Sequence, residues 1–64
     1  MIYGGISMSE LDYRRIKCVV GKHIKIVSHN GVTVENLNES LKEDLVSKGF
    51  NLSEIRENEY FIYI

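Results

Sequence analysis

The run Lys22-His23-Ile24-Lys25-Ile26-Val27-Ser28-His29-Asn30-Gly31-Val32-Thr33-Val34-Glu35 constrains the fold more than any other stretch of the chain. Two β-prone segments flank His29-Asn30-Gly31, and Asn-Gly between apolar runs is the strongest short-range hairpin signal. The register follows from the apolar pattern, because a slip of one residue turns every side chain to the other face. A two-residue Asn30-Gly31 loop pairs Val27 with Val34 and separates the isoleucines from the valines. A three-residue loop, His29 to Gly31, pairs Ser28 with Val32, Ile26 with Val34 and Ile24 with Asn36. Ile24, Ile26, Val32 and Val34 then share one face. His23, Lys25, Val27, Thr33 and Glu35 take the other, with Lys25 opposite Glu35. The three-residue loop is therefore expected, closed by Gly31 in the left-handed region.

Upstream, Met1 to Ile6 reads as a short strand or a lead-in that stops at Gly4-Gly5. A helix is expected from about residue 8 to 20. Ser7 with Glu10 forms a capping-box pattern, and Ser9 with Asp12 is the second choice. Tyr13, Ile16 and Val20 recur on one face, and Gly21 is a natural stop. The rival is a strand over 15–20, favoured by the β-branched Ile16, Val19 and Val20. That alternative leads to a small SH3-like barrel.

Downstream, Asn36 to Phe50 reads as a second helix. Asn36 is the expected N-cap, with Glu39 in the capping-box position. Leu37, Leu41 and Leu45 line one face, and Asp44 and Lys48 form an i,i+4 pair. Gly49 ends the helix, with Phe50 turning back towards Leu45 in a Schellman closure. Residues 51–64 read as a second hairpin looped at Arg56 to Asn58, which sets Leu52 opposite Ile62 and Phe50 opposite Ile64. Its last strand, Tyr60-Phe61-Ile62-Tyr63-Ile64, is apolar on both sides. Such a strand is either central in a sheet or an edge that a partner covers. The expected fold class is α+β: one domain over residues 1–64, ordered α-β-β-α-β-β, with an antiparallel sheet and both helices on one of its faces.

Sixty-four residues with one cysteine make a small core without a disulfide framework or a cysteine-rich zinc site. A lone thiol suits a reducing cytoplasm, which is the expected location. No secretory leader is read at the start, and no apolar run reaches the roughly 20 residues that cross a bilayer, so no membrane association is expected. The chain lacks Ala, Pro, Gln and Trp and is rich in Ile, Lys, Asn and Tyr. That usage fits A·T-rich coding, as in low-GC bacteria and their phages. The net charge of −1 is unevenly spread. Arg14, Arg15, Lys17, Lys22 and Lys25 form a block without an acid, whereas the chain from Glu35 onward is mainly acidic.

Catalysis has thin support. Cys18, His23 and His29 are the residues with nucleophilic or imidazole chemistry. Cys18 reads as a core or boundary residue, His23 as solvated and His29 as a turn residue. No catalytic residue, cofactor or metal is assigned. The expected function is a non-catalytic protein-interaction module, such as a phage or bacterial inhibitor or adaptor that acts by binding another protein. Tyr60, Phe61 and Tyr63 are its candidate contact residues, with a homodimer through strand 59–64 as one form. The alternative is nucleic-acid binding, with Arg14, Arg15, Lys17, Lys22 and Lys25 on phosphates. Lys22 and Lys25 stand where the basic and acidic parts of the chain meet.

Overall fold

The computed structural model describes residues 8–64, so the strand or lead-in expected over 1–6 and the Ser7 cap lie outside the described residues. The chain runs α1 (Glu10–Val20), a single 3-10 turn (Gly21–His23), β1 (Ile24–Ser28), β2 (Gly31–Glu35), α2 (Glu39–Ser47), β3 (Asn51–Arg56) and β4 (Glu59–Tyr63). The four strands form one antiparallel sheet in the order β1-β2-β4-β3. Both helices pack on the same face, which gives the expected α+β order. Residues 15–20 are helical, so the strand reading and the barrel built on it are overturned. Amphipathic spacing outweighs the β preference of Val19 and Val20.

Ser9 is the N-cap of α1. Its hydroxyl accepts from the Asp12 amide at 3.1 Å and donates to the Asp12 carboxylate at 2.9 Å. Gly21 does not end α1 in a left-handed conformation; it is right-handed (φ −50°, ψ −44°) and leads into the 3-10 turn. The N-cap of α2 is Asn38, not Asn36, and its side chain accepts from the Leu41 amide at 2.8 Å. Asn36 takes a left-handed conformation (φ 60°), which asparagine tolerates. Its amide donates to the Asn58 carbonyl at 2.8 Å, which ties the end of β2 to the β3–β4 turn. The end of α2 is a Schellman motif as expected. Phe50 N–H bonds the Leu45 carbonyl, Gly49 N–H bonds the Val46 carbonyl, and Gly49 has φ 94°.

The core is Ile16 and Val20 from α1, Val32 and Val34 from β2, Leu45 from α2, Phe50 after it, and Ile62 from β4. Leu41, Leu52, Tyr60, Tyr13 and Ile24 pack around it. Cys18, expected at the core or its boundary, is exposed on α1.

The first hairpin differs from the expected register. Ser28 pairs with Gly31, Val27 with Val32 and Ile26 with Thr33, so the turn is the two residues His29-Asn30. A break at Lys25 then shifts the register, and Ile24 pairs with Val34. Ile24, Val32 and Val34 face inward, but Ile26 faces outward and Val27 takes its place on the inner side. Had the ladder continued unbroken, Lys25 would lie beside Val34 over the core. One bulged residue keeps Ile24 inside and sends the ammonium out. The second hairpin uses the same device. Leu52 pairs with Ile62 as expected, but the turn is Glu57-Asn58, closed by Arg56 with Glu59, with a bulge at Ile55. Without that bulge Ser53, not Leu52, would oppose Ile62. The last pair is Asn51 with Tyr63, so Phe50 and Ile64 are not paired.

Gly31 is not left-handed either. Its side faces outward beneath the Phe61 ring, and a methyl group there would overlap the ring and sit 2.6 Å from the Ile62 carbonyl oxygen. Gly31 thus answers a close approach, whereas Gly49, with open space around it, answers a backbone angle. Substitution separates the two. Gly49→Ala is expected to cost about 1 kcal/mol, mostly regained by Gly49→Asn, because asparagine tolerates a left-handed backbone. Gly31→Ala is expected to cost about 1–3 kcal/mol, and Gly31→Asn more, since overpacking grows with side-chain size. Urea unfolding midpoints read both pairs, and rescue of position 31 by asparagine would contradict the assignment.

Candidate functional site

With both helices on one side, no element among the described residues covers the other side of the sheet. Strand alternation puts three cross-strand rows there. The first row is Ser28, Gly31, Tyr63 and Asn51, and the middle row is Ile26, Thr33, Phe61 and Ser53. The last row is Lys25, Glu35, Glu59 and Arg56, with cations on the outer strands and carboxylates on the inner ones. Ile26 is 57% exposed and Tyr63 38%. The Phe61 and Tyr63 rings stack with centroids 6.0 Å apart. Phe61 is half-buried by its position over Gly31.

The charged row is internally paired. Glu35 and Glu59 are direct cross-strand neighbours, an arrangement that repels when unpaired. The Lys25 ammonium donates to Glu59 at 2.6 Å and lies 3.8 Å from Glu35. Arg56 approaches Glu59 at 3.6 Å. The expected Lys25–Glu35 pair is therefore present, but Glu59 is the nearer partner, reached because β4 lies beside β2. The hydrogen bond to Glu59, and then that carboxylate's charge, raise Lys25 above its ordinary 10.5. The same hydrogen bond lowers Glu59 from its ordinary 4.5.

The basic block does not form one surface. Arg14 pairs with Glu10 at 3.3 Å. Arg15 is a tie between helices: its guanidinium donates to the Lys48 carbonyl at 3.1 Å, sits 5.3 Å from the Phe50 ring centroid and pairs with Asp12 at 3.7 Å. Lys17 lies against Tyr13 on α1, 6.0 Å from its ring centroid, and Lys22 is exposed in the 3-10 turn. Lys25 is on the far side of the sheet among carboxylates. Of the three candidate aromatics, Phe61 and Tyr63 face outward together, but Tyr60 does not join them. It packs on the core, and its hydroxyl accepts from Lys42 at 2.7 Å, a bond that raises the Lys42 ammonium above 10.5. β4 is flanked by β2 and β3, so its backbone is paired on both sides and only its outward side chains remain for a partner.

Ile26 was not among the expected contact residues, because the sequence register turned it inward. No local signal corrects this: the three-residue-loop register already turns Lys25 outward without a bulge, and only the two-residue turn at His29-Asn30 makes the bulge at Lys25 necessary and reverses Ile26. Cys18, His23 and His29 lie on α1, the 3-10 turn and the first β-turn. Among the described residues, no three of His, Cys, Asp and Glu are grouped to hold a metal ion. A shallow hollow of about 390 Å³ lies over Glu39, Lys42, Glu43, Val46 and Ser47, all on α2 and open to solvent. No helix among the described residues is long and apolar enough to cross a membrane. The chain matches no protein-family model, no curated protein and no solved structure.

The charged row predicts a pH signature. Glu59 has a lowered folded pKa, so its contribution is complete above 4.5 and is lost as pH falls through the folded value. Lys25 has a raised one, so its contribution is complete below 10.5 and is lost as pH rises through the folded value. Lys25→Met is expected to lower the thermal midpoint throughout the neutral range, because it leaves Glu35 and Glu59 facing each other. The gap to the parent should narrow at both pH extremes, and adding Glu59→Gln should recover part of it at pH 7. A gap independent of pH would contradict the pairing.

Proposed function

We propose that this protein is a non-catalytic protein-interaction module of the reducing cytoplasm whose contact surface is the bare face of its sheet. One observation carries the reading: the middle row of that face sets Ile26 beside Thr33 and Phe61, with Tyr63 stacked on Phe61 and no element among the described residues over them. Aromatic and aliphatic side chains presented on a rigid sheet give contact area at little cost in conformational entropy. The charges on the same face are paired with one another, so the apolar middle row is what a partner would bury.

The edges are less suited to this role. Each edge strand, β1 and β3, carries a bulge, and Lys25, Glu54 and Arg56 stand on them. Bulges and charges blunt backbone pairing with another chain. Nucleic-acid binding has weaker support, because Arg14, Arg15 and Lys25 are engaged with acids or a carbonyl and Lys25 is apart from the others. The lone exposed thiol of Cys18 fits a reducing compartment.

The test is capture of partners by the tagged protein from cells of its native host, by the parent and by Ile26→Lys and Tyr63→Lys variants. Both variants should keep the parent's circular dichroism; Ile26→Lys should shift stability by no more than about 0.5 kcal/mol, and Tyr63→Lys, which loses its stack on Phe61, by about 0.5–1.5 kcal/mol. The expected result is a partner held by the parent and lost by both variants. Labelled single- and double-stranded nucleic acid should show no salt-sensitive binding at low ionic strength. Capture unaffected by both variants, or salt-sensitive binding of nucleic acid, would overturn the reading.

A further inference from the structure

We infer that the bare face is occupied by a second copy of this chain, docked sheet to sheet about a two-fold axis that runs across the strands. The inference rests on reading that face as a contact surface, and the layout of its charges points to the occupant. Lys25 and Arg56 balance Glu35 and Glu59, so the face is neutral as a whole and favours no strongly charged partner. A neutral face whose middle row presents Ile26 and Phe61 can meet its own copy without net repulsion, which a closed two-fold interface requires.

The charges also choose between the two ways of stacking the sheets with their strands aligned. With the axis along the strands, each row meets its own copy with the strand order reversed. Glu35 then faces Glu59 of the second copy and Lys25 faces Arg56, which sets like charges together. With the axis across the strands, over the middle row, the charged row meets the row of Ser28, Gly31, Tyr63 and Asn51. Glu59 then faces the Tyr63 side chain, Arg56 faces Asn51 and Lys25 faces Ser28, neutral groups that form hydrogen bonds, and Glu35 faces Gly31 while keeping Lys25 as its partner within the chain. The middle row meets itself: Ile26 on Ile26, Thr33 on Thr33 and Phe61 on Phe61. Only this second arrangement buries the apolar row without opposing like charges.

The size of the face sets the strength. Four strands about 4.8 Å apart and five residues long, at about 3.3 Å each, make a plane of roughly 300 Å². That is well under the roughly 800 Å² per partner of a standard interface. A dimer on so small a face is weak and concentration-dependent.

Sedimentation equilibrium from about 10 μM to about 1 mM tests the association over the range where such a dimer forms and dissociates. The expected result is a monomer–dimer equilibrium for the parent and a monomer throughout for Ile26→Lys, which sets two cations against each other at the axis. Ser53→Lys is the second variant, because Ser53 is exposed at the other end of the same row. Isotope-filtered NOEs on a mixed-label dimer test the axis. Tyr63 of one copy should contact Glu59 of the other, a pair about 13 Å apart within one chain. A parent that stays monomeric at the highest concentration overturns the inference, as does a dimer indifferent to both variants. Contacts from Ile26 to Ser53 across copies would identify the other axis and overturn it too. The contact-face reading fails separately, when Ile26→Lys and Tyr63→Lys leave partner capture unchanged.

Discussion

Val32, Val34 and Ile62 must reach the same side of the sheet, because only there do Ile16, Val20 and Leu45 stand to receive them. All six are fully buried, and with Phe50 they make up the core. This parity on the two central strands determines much else. It sends Thr33, Glu35, Phe61 and Tyr63 to the opposite side, which neither the 11-residue nor the 9-residue helix covers. A chain of this size builds one core, and both helices are spent on it.

The edge strands adjust to the central ones. β2 and β4 pair without interruption, whereas β1 and β3 each carry one extra residue. At Lys25 the extra residue restores Ile24 to the core side, and at Ile55 it restores Leu52. The same two bulges aim Lys25 at the carboxylates and disrupt the edges where another strand would add. The parity of the edge strands, the aim of Lys25 and the protection of the edges thus follow from two inserted residues.

Much of this fold was legible in the sequence. The helices showed in the spacing of Tyr13, Ile16 and Val20 and of Leu37, Leu41 and Leu45. The Gly49-Phe50 closure and the pairing of Leu52 with Ile62 were readable because local chemistry fixes them. The hairpin register was not, because Ile24-Lys25-Ile26-Val27 offers two alternations, one using the isoleucines and one using Val27. Tertiary packing chose a mixture of both, divided at Lys25. Asn36 resembled a cap because Glu39 follows it, but Asn38 occupies the cap, and Asn36 bends the chain instead. Of the candidate contact residues, Phe61 and Tyr63 stand together, while Tyr60 and Arg15 serve the packing. A block such as Arg14 to Lys25 is continuous along the chain, yet a helix, a turn and a bulge distribute it over two faces.

If the middle row of the sheet's helix-free face is where the protein meets a second copy, concentration acts on those residues first. A dilution series of amide and methyl NMR spectra measures that residue by residue. Concentration-dependent shifts are expected at Ile26, Thr33, Ser53, Phe61 and Tyr63, with Ile16, Val20 and Leu45 and the exposed sides of both helices unchanged. Shifts confined to α1 or α2, or spectra independent of concentration, would contradict a meeting at that row.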